Sequence, residues 1–288
     1  MAGLWRERVR GGSATRKKST VTRPNEDAVL CRVADGVIGV FDGIGMYAQA
    51  RMASQIARER CGPLMSAIDR AHYTEVDQAL AALGEAIYAA QAGVNDLQRQ
   101  FPNAGEGGTT ATIAKLWQAE PGTPVMALYA NIGDSRLYRW RATTKELERL
   151  TSDDSMLRQW RELQWITSDE EALFTELMDA YTGNEDLPPA AFEAWDMRNT
   201  ICAWLGMPDI NFTLKAIELH PGDRLIATSD GIHDNLTHDE MTRIASRKAE
   251  PRDIALNLVD VAEAIAAVDE SPRAKPDDMA VAILTLEH

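Results

Sequence analysis

The chain has 288 residues, 45% of them apolar, with 30 basic and 44 acidic side chains and a formal net charge of −14. That is enough apolar material for one large core or two ordinary ones, and too acidic a balance for a general nucleic-acid binder or a protein held on an anionic membrane, both of which demand Lys and Arg. No apolar run has the length of a bilayer span, and the basic start MAGLWRERVR has no apolar segment behind it, so neither a membrane span nor a signal peptide is expected.

Residues 1–20, basic and rich in Ser, Thr and Gly, read as a mobile arm or a ragged first strand. Residues 28–34 and 37–42 flank Asp35-Gly36, which predicts a β-hairpin. Ala48, Met52 and Ile56 have helical spacing within 48–61, and the Ala/Leu stripe of 74–100 predicts a long helix lying on a sheet. Strands follow at 109–117, 125–132 and 135–141. Residues 153–207 change character: they are helical in period, acidic around Asp169–Glu171, and carry Trp160, Trp165, Trp195 and Trp204. Strands return near 212–218 and 223–229, helices near 238–248 and 252–267, and a last strand at 279–286. Strand pairs alternating with helix pairs imply sheets covered by helices.

The chemistry lies at the joints between these elements. Asp42-Gly43 and Asp230-Gly231 each follow an apolar strand, Glu26 and Asp27 begin the first hairpin strand, Asp134 lies in a tight turn, and Asp277 and Asp278 open the last strand. Carboxylates on rigid strand ends can converge from distant positions. With a Gly carbonyl beside them they suit Mg²⁺ or Mn²⁺. The five His form no zinc-like cluster, and Cys31, Cys61 and Cys202, without CxxC spacing, read as small buried hydrophobes in a reducing cytoplasm. Taken singly, an Asp-Gly is above all a turn.

In combination and order these segments resemble the metal-dependent Ser/Thr protein phosphatases of type 2C. The resemblance is carried by RPNEDA (23–28), FDGIGMYAQARMAS (41–54), GGTTAT (107–112), ANIGDSRLYRW (130–140), LTSDDS (150–155), RNTICAWLG (198–206), HPGDRLIATSDGIHD (220–234) and PDDMAVAIL (276–284). It implies an α+β fold, a four-layer α-β-β-α sandwich with two central antiparallel sheets. It also implies one catalytic domain over 1–288, with 153–207 as a helical, Trp-rich flap within it.

The resemblance further implies site residues. Asp42 would bridge two ions and the Gly43 carbonyl would bind one. Asp230 and Asp277 would complete the first ion's ligands, and Glu26 or Asp27 would hold the second. Asp134 would help to bind a third, weaker ion, or else only cap its hairpin. Two such ions, typically about 3.5–4 Å apart, share and acidify a water that attacks phosphorus in line, so no Cys or Ser nucleophile is needed. Arg23 would clamp the phosphate, with Lys17 or Lys18 as alternatives. The implied cofactors are Mg²⁺ or Mn²⁺; the implied partners are phosphorylated proteins and a cognate Ser/Thr kinase, for a protein expected to be monomeric and cytoplasmic.

Several positions depart from the family pattern. Ile44 stands where many members have His, Met46 and Tyr47 replace Gly and His, Gln49 and Ala50 replace a Gly pair, Asp154 replaces a His, Asp278 an Asn and Ala280 a Thr. His233 is either a proton donor or, more simply, a surface or supporting group. The flap Trp residues are either a docking surface or core. Two other functions stay open on these departures: a binding module that keeps the fold without turnover, and a phosphohydrolase for small esters.

Overall fold

The computed structural model describes residues 5–18, 22–45, 48–69, 71–102, 107–268 and 270–288. After a 3₁₀ turn the elements run β1 (Val9–Arg16), β2 (Ala28–Arg32), β3 (Val37–Phe41), β4 (Gly43–Ile44), α1 (Ala48–Ser66), α2 (Val76–Gln100), β5 (Gly108–Thr109), β6 (Ala111–Trp117), β7 (Val125–Ile132), β8 (Arg136–Arg141) and β9 (Glu146–Arg149). Then come α3 (Met156–Glu162), α4 (Ser168–Ala180), α5 (Pro189–Asp196), β10 (Thr213–Leu219), β11 (Arg224–Thr228), α6 (Asp230–His233), α7 (His238–Ala245), α8 (Pro251–Ala266) and β12 (Met279–Leu286).

Two five-stranded antiparallel sheets form the centre, ordered β1-β12-β11-β8-β9 and β10-β7-β6-β3-β2. Helices α1 and α2 cover the outer face of the second sheet through a core that includes Leu83, Ile87 and Phe41. Helices α7 and α8 cover the first through Ile244, Leu258 and Ile283. Val40, Leu116, Leu137 and Leu225 fill the space between the sheets. This is the expected α-β-β-α sandwich. Because each sheet is covered on both faces, β3 is buried at every position, which is why VIGVF and MAVAILTL read as unbroken apolar runs without alternation. In α2 the buried Ala79, Leu83, Ala86, Ile87, Ala90, Val94 and Leu97 recur every three or four residues, the periodicity that sets one helical face on a core. Removing the Leu83 side chain to Ala at such a site typically costs about 2–5 kcal/mol.

The predicted hairpin forms, with Ala28 opposite Phe41 and Arg32 opposite Val37. Its connection is a four-residue 3₁₀ turn closed by Gly36 at φ +64°, rather than a two-residue turn at Asp35-Gly36. The ragged N-terminal segment is a full strand, β1, paired with β12 from Val9↔Leu286 to Arg16↔Met279. Strand β9 carries no signal in the sequence, because its turn places the left-handed backbone on Lys145 (φ 60°) and not on Gly or Asn. Asp277 and Asp278 precede β12, and Glu26 and Asp27 precede β2, instead of opening those strands.

Residues 153–207 hold three helices, α3 to α5, around a small core of Leu157, Trp160, Phe174, Ala191 and Ala194. Trp160 and Trp195 are buried, as a core reading requires, whereas Trp165 is 72% exposed. Arg273 ties this flap to the sandwich. Its guanidinium donates to the carbonyls of Met178 and Tyr181 in the flap and to those of His233 and Leu236 beside α6, and it lies 5.0 Å over the Trp195 ring. Arg273→Ala leaves these carbonyls without their charged donor and is expected to cost about 2–4 kcal/mol. Limited proteolysis should show it first as faster cleavage in the exposed stretch 182–186.

Among the described residues no helix is long and apolar enough to cross a membrane. Cys61 is buried, Cys31 and Cys202 are half-buried, and all three are free thiols.

Candidate metal centre

Asp42 follows β3 directly, and its backbone is pinned on both sides. Its N–H donates to Thr110 Oγ1 at 2.9 Å, and its carbonyl accepts the Thr110 N–H at 2.8 Å. Thr110 Oγ1 also lies 2.8 Å from Ser135 Oγ, so the Gly-Thr-Thr segment and the turn carrying Asp134 are keyed to the same aspartate. A Cβ on Gly43 would stand 2.4 Å from the Ala50 carbonyl oxygen, so only glycine allows this approach of α1. Gln49 and Ala50 are buried beneath that contact; Met46 and Tyr47 lie outside the described residues.

Asp230 is the first residue of α6, a short helical turn where the sequence predicted only a bend. A Cβ on Gly231 would meet the Asp278 carbonyl oxygen at 2.0 Å, and this packing brings Asp230 against the segment that carries Asp277. Asp27 arrives from ahead of β2, with the Ser229 hydroxyl donating to its Oδ2 at 2.7 Å. Asp278 is a clamp: its carboxylate accepts the N–H of Glu26 at 2.8 Å and of Lys18 at 2.7 Å.

Five predicted aspartates thus share one neighbourhood, and their acidities record it. Burial pushes Asp27, Asp42 and Asp134 well above the usual carboxylate range, and the charges of neighbouring aspartates push them further. Burial and Asp230 raise Asp277 to about 6. Asp230 is the exception. Burial works against its charge, but the ammonium of Lys275 outweighs burial and holds it below the ordinary value.

Of the pair Glu26 and Asp27, only Asp27 joins this cluster; the Glu26 carboxylate is ion-paired with Arg23. Arg23 stands beside Asp278, as do Lys17 and Lys18, whose positive charges partly offset the rise that burial gives that carboxyl. His233 is no surface group. It is 2% exposed, its Nδ1 lies 3.0 Å from Thr228 Oγ1, and burial drives its pKa well below the ordinary range, so it stays neutral.

Asp154 is also buried and joins the flap to the turn before Asp134. It accepts the Gly133 N–H at 2.8 Å and pairs with Arg158. Burial raises its pKa to about 6 against the pull of those donors. A carboxyl raised on folding stabilises most below its unfolded value and loses that contribution as pH rises through the folded value. Between about pH 4 and 8 this group should therefore remove up to about 3 kcal/mol. Asp154→Asn keeps the acceptor for Gly133 and should flatten that part of the stability profile in urea titrations at pH 5 and 8.

The donor set suits hard divalent cations. Asp27 Oδ1 and Asp230 Oδ1 are buried without a hydrogen-bond partner, orphaned lone pairs that a cation would satisfy. Among the described residues no group of three or more His, Cys, Asp or Glu is set to hold an ion as it stands. The reason is visible in the contacts: Ser229 engages one oxygen of Asp27, Lys275 one of Asp230, and the Asp278 N–H one of Asp277. Asp27 and Asp230 each keep a second oxygen without a partner, whereas the second oxygen of Asp277 lies 4.0 Å from the Lys275 ammonium. Sequence reasoning missed Thr110, Ser135 and Ser229, although all lie inside quoted motifs and the two serines directly adjoin Asp134 and Asp230. It also missed Lys275, for which no motif exists. Beside Asp134 and Asp234 a pocket of about 340 Å³ opens between the flap and the sandwich.

The chain matches no protein-family model. It is 25% identical over 226 residues, 77% of either protein, to a Streptococcus pyogenes protein described as a putative protein phosphatase 2C-type. Among solved structures, the Mycobacterium tuberculosis serine/threonine phosphatase PstP/Ppp superposes with a TM-score of 0.73 at 23% identity, covering 97% of this chain and 99% of that one. The Mycobacterium smegmatis PPM Ser-Thr phosphatase MsPP, in complex with cacodylate, gives 0.67 at 25% identity, covering 96% and 98%. The catalytic domain of PstP in complex with two manganese ions gives 0.71 at 21% identity, covering 97% and 99%. The chain has the fold of the bacterial type 2C serine/threonine phosphatases, and its sequence is similar to theirs over most of its length.

Proposed function

We propose that this protein is an Mg²⁺- or Mn²⁺-dependent protein phosphatase that hydrolyses phosphoserine and phosphothreonine, with residues 1–288 acting as one catalytic domain and 153–207 as its flap. The observation that carries this reading is the gathering of Asp27, Asp42, Asp134, Asp230 and Asp277 from separate segments into mutual electrostatic contact, in a fold shared with such phosphatases. Evolution of stability alone would not keep like charges buried together.

Asp42, Asp230, Asp277 and the Gly43 carbonyl would hold two cations, with Asp27 and not Glu26 supplying the remaining carboxylate. Once bound, the ions supply an acidified water and neutralise charge developing on phosphorus. The chain's residues do the positioning. Thr110 and Ser135 fix Asp42, and Ser229 fixes Asp27. Arg23 pairs with Glu26, and a bound phosphate would compete with that carboxylate for its guanidinium. Phosphorylated proteins, a cognate Ser/Thr kinase, a monomeric state and a cytoplasmic location complete the reading.

Hydrolysis of a small aryl phosphate should require added Mn²⁺ and stop with a chelator. Phosphoseryl and phosphothreonyl peptides should give the higher kcat/KM. Turnover that ignores Mn²⁺ sinks the proposal, and equal or better kcat/KM for small esters favours a small-ester phosphohydrolase. In thermal unfolding, Mn²⁺ at about 100 times its Kd should add about 2.7 kcal/mol of stability.

A further inference from the structure

Lys275 lies two residues before Asp277 and is buried, 8% exposed. Its backbone is locked in place: its N–H donates to Asn235 Oδ1 at 2.9 Å, and its carbonyl accepts from Asn235 Nδ2 at 2.9 Å. The same Asn235 amide donates to the Gly231 carbonyl at 2.8 Å, which fixes Lys275 to the turn that carries Asp230. From this anchor the ammonium reaches Asp230 Oδ2, Asp234 Oδ2 at 2.8 Å and, at 4.0 Å, Asp277 Oδ2. Asp134 faces the same group, with Asp230, Lys275 and Asp234 among the charges that act on it. An ammonium carries three donors and no acceptor, and a ring of carboxylates is the environment it satisfies best.

We propose that the Lys275 ammonium is a tethered cation occupying the position between Asp134, Asp230 and Asp234, so that this site takes two divalent ions and not a third. The inference rests on the metal-dependent reading above. The ammonium engages Asp230 through Oδ2 and leaves Oδ1, which has no partner, for a metal ion. It stands on the Asp234 side of Asp230. Its ion-pair contacts run to Asp230, Asp234 and Asp277, while Asp134, which acts on Asp42 as well as on Lys275, links this position to the rest of the cluster. A tethered charge needs no ion from solution, so Asp134 in this chain completes the surroundings of a lysine and does not ligate a metal.

The test counts bound Mn²⁺ by titration calorimetry and by the electron paramagnetic resonance signal of free Mn²⁺. The wild type should take two ions. Lys275→Met, close in shape and neutral, should take a third at least tenfold weaker, and adding Asp134→Asn to that variant should remove it. Lys275→Arg should stay at two. Asp134→Asn alone, which keeps the lysine, should also stay at two, so the proposal remains testable if Lys275→Met fails to fold. Three ions on the wild type overturn it. So does a Lys275→Met protein that takes only two, or one that binds the same two more tightly, which would make the lysine a competitor. No ions on the wild type would instead bring down the metal-dependent reading itself.

Discussion

Asp42→Asn should abolish turnover and, in chelator-treated protein at pH 8, raise the unfolding midpoint. Both effects come from one carboxylate. Burial and the charges of Asp27, Asp230, Asp277 and Asp134 all oppose ionisation of Asp42, so without cations its charge is a cost to the fold. Asparagine removes the charge. The backbone bonds to Thr110 that hold the residue in place survive, because they involve main-chain atoms of residue 42. The expected gain is about 1–3 kcal/mol in ion-free protein. Aryl phosphatase turnover should fall at least ~10³-fold, about 4 kcal/mol of transition-state stabilisation. Mn²⁺ should then give little thermal shift. A less stable ion-free variant would mean that Asp42 is a structural residue; turnover within tenfold of wild type would remove it from the site.

The opposite signs follow from the charge balance of the whole molecule. The chain carries −14, its candidate site is a concentration of aspartates, and a phosphoprotein substrate brings more negative charge. Without cations the field at this site repels the substrate it is proposed to bind. Lys275 offsets one of these charges permanently, and Arg23, Lys17 and Lys18 gather at the Asp278 edge.

What the sequence disclosed about this site, and what it hid, divides along a physical line. Asp42, Asp230 and Asp277 were legible because the backbone there needs local features, a strand end and a glycine at a close contact, that leave a motif. The layers were legible because two-faced burial turns β3 and β12 into unbroken apolar runs. Lys275 was not legible. Its role depends on Asn235 and Asp234, 40 residues away in sequence or thereabouts, and a lone lysine before Pro276 reads as solvated. Choosing between Glu26 and Asp27 was beyond any spacing rule as well, because adjacent side chains point apart and only the Arg23 contact shows which one leaves the cluster. In the flap the helical period predicted helices, but whether a given Trp is core or exposed is set by packing. Trp160 is inside and Trp165 outside although both fell in the same periodic stretch.

The flap also carries the largest expected loss of stability, in Asp179→Ala. Asp179 lies near the C-terminal end of α4, where the helix dipole disfavours an anion. It is held there by Arg136 from β8 at 2.9 Å and by Arg149 from β9 at 3.5 Å. The same two arginines grip Asp153, at 2.8 and 2.5 Å, which closes a square of two cations and two anions between flap and sheet. Burial opposes the Asp179 charge, but Arg136 and Arg149 outweigh it and hold the carboxyl below its ordinary value. Such a group stabilises fully above its unfolded pKa and loses that contribution as pH falls through the lower, folded one. Alanine leaves the buried Arg136 and the half-buried Arg149 sharing one carboxylate, a defect that typically costs about 3–5 kcal/mol. Urea unfolding at pH 7 should show that loss, and the wild type's advantage should shrink in acid, as pH falls below the ordinary aspartate range and through the lower value of folded Asp179. Arg136→Met combined with Asp179→Leu should cost less than the two single changes together, because a removed pair leaves no orphaned charge. Mn²⁺ should still raise the midpoint of Asp179→Ala, since no cluster aspartate is altered, and this separates a loosened flap from a broken metal site. If Asp179→Ala unfolds at the wild-type urea concentration, the square is a surface ornament and the flap is held by Arg273 and its apolar core alone.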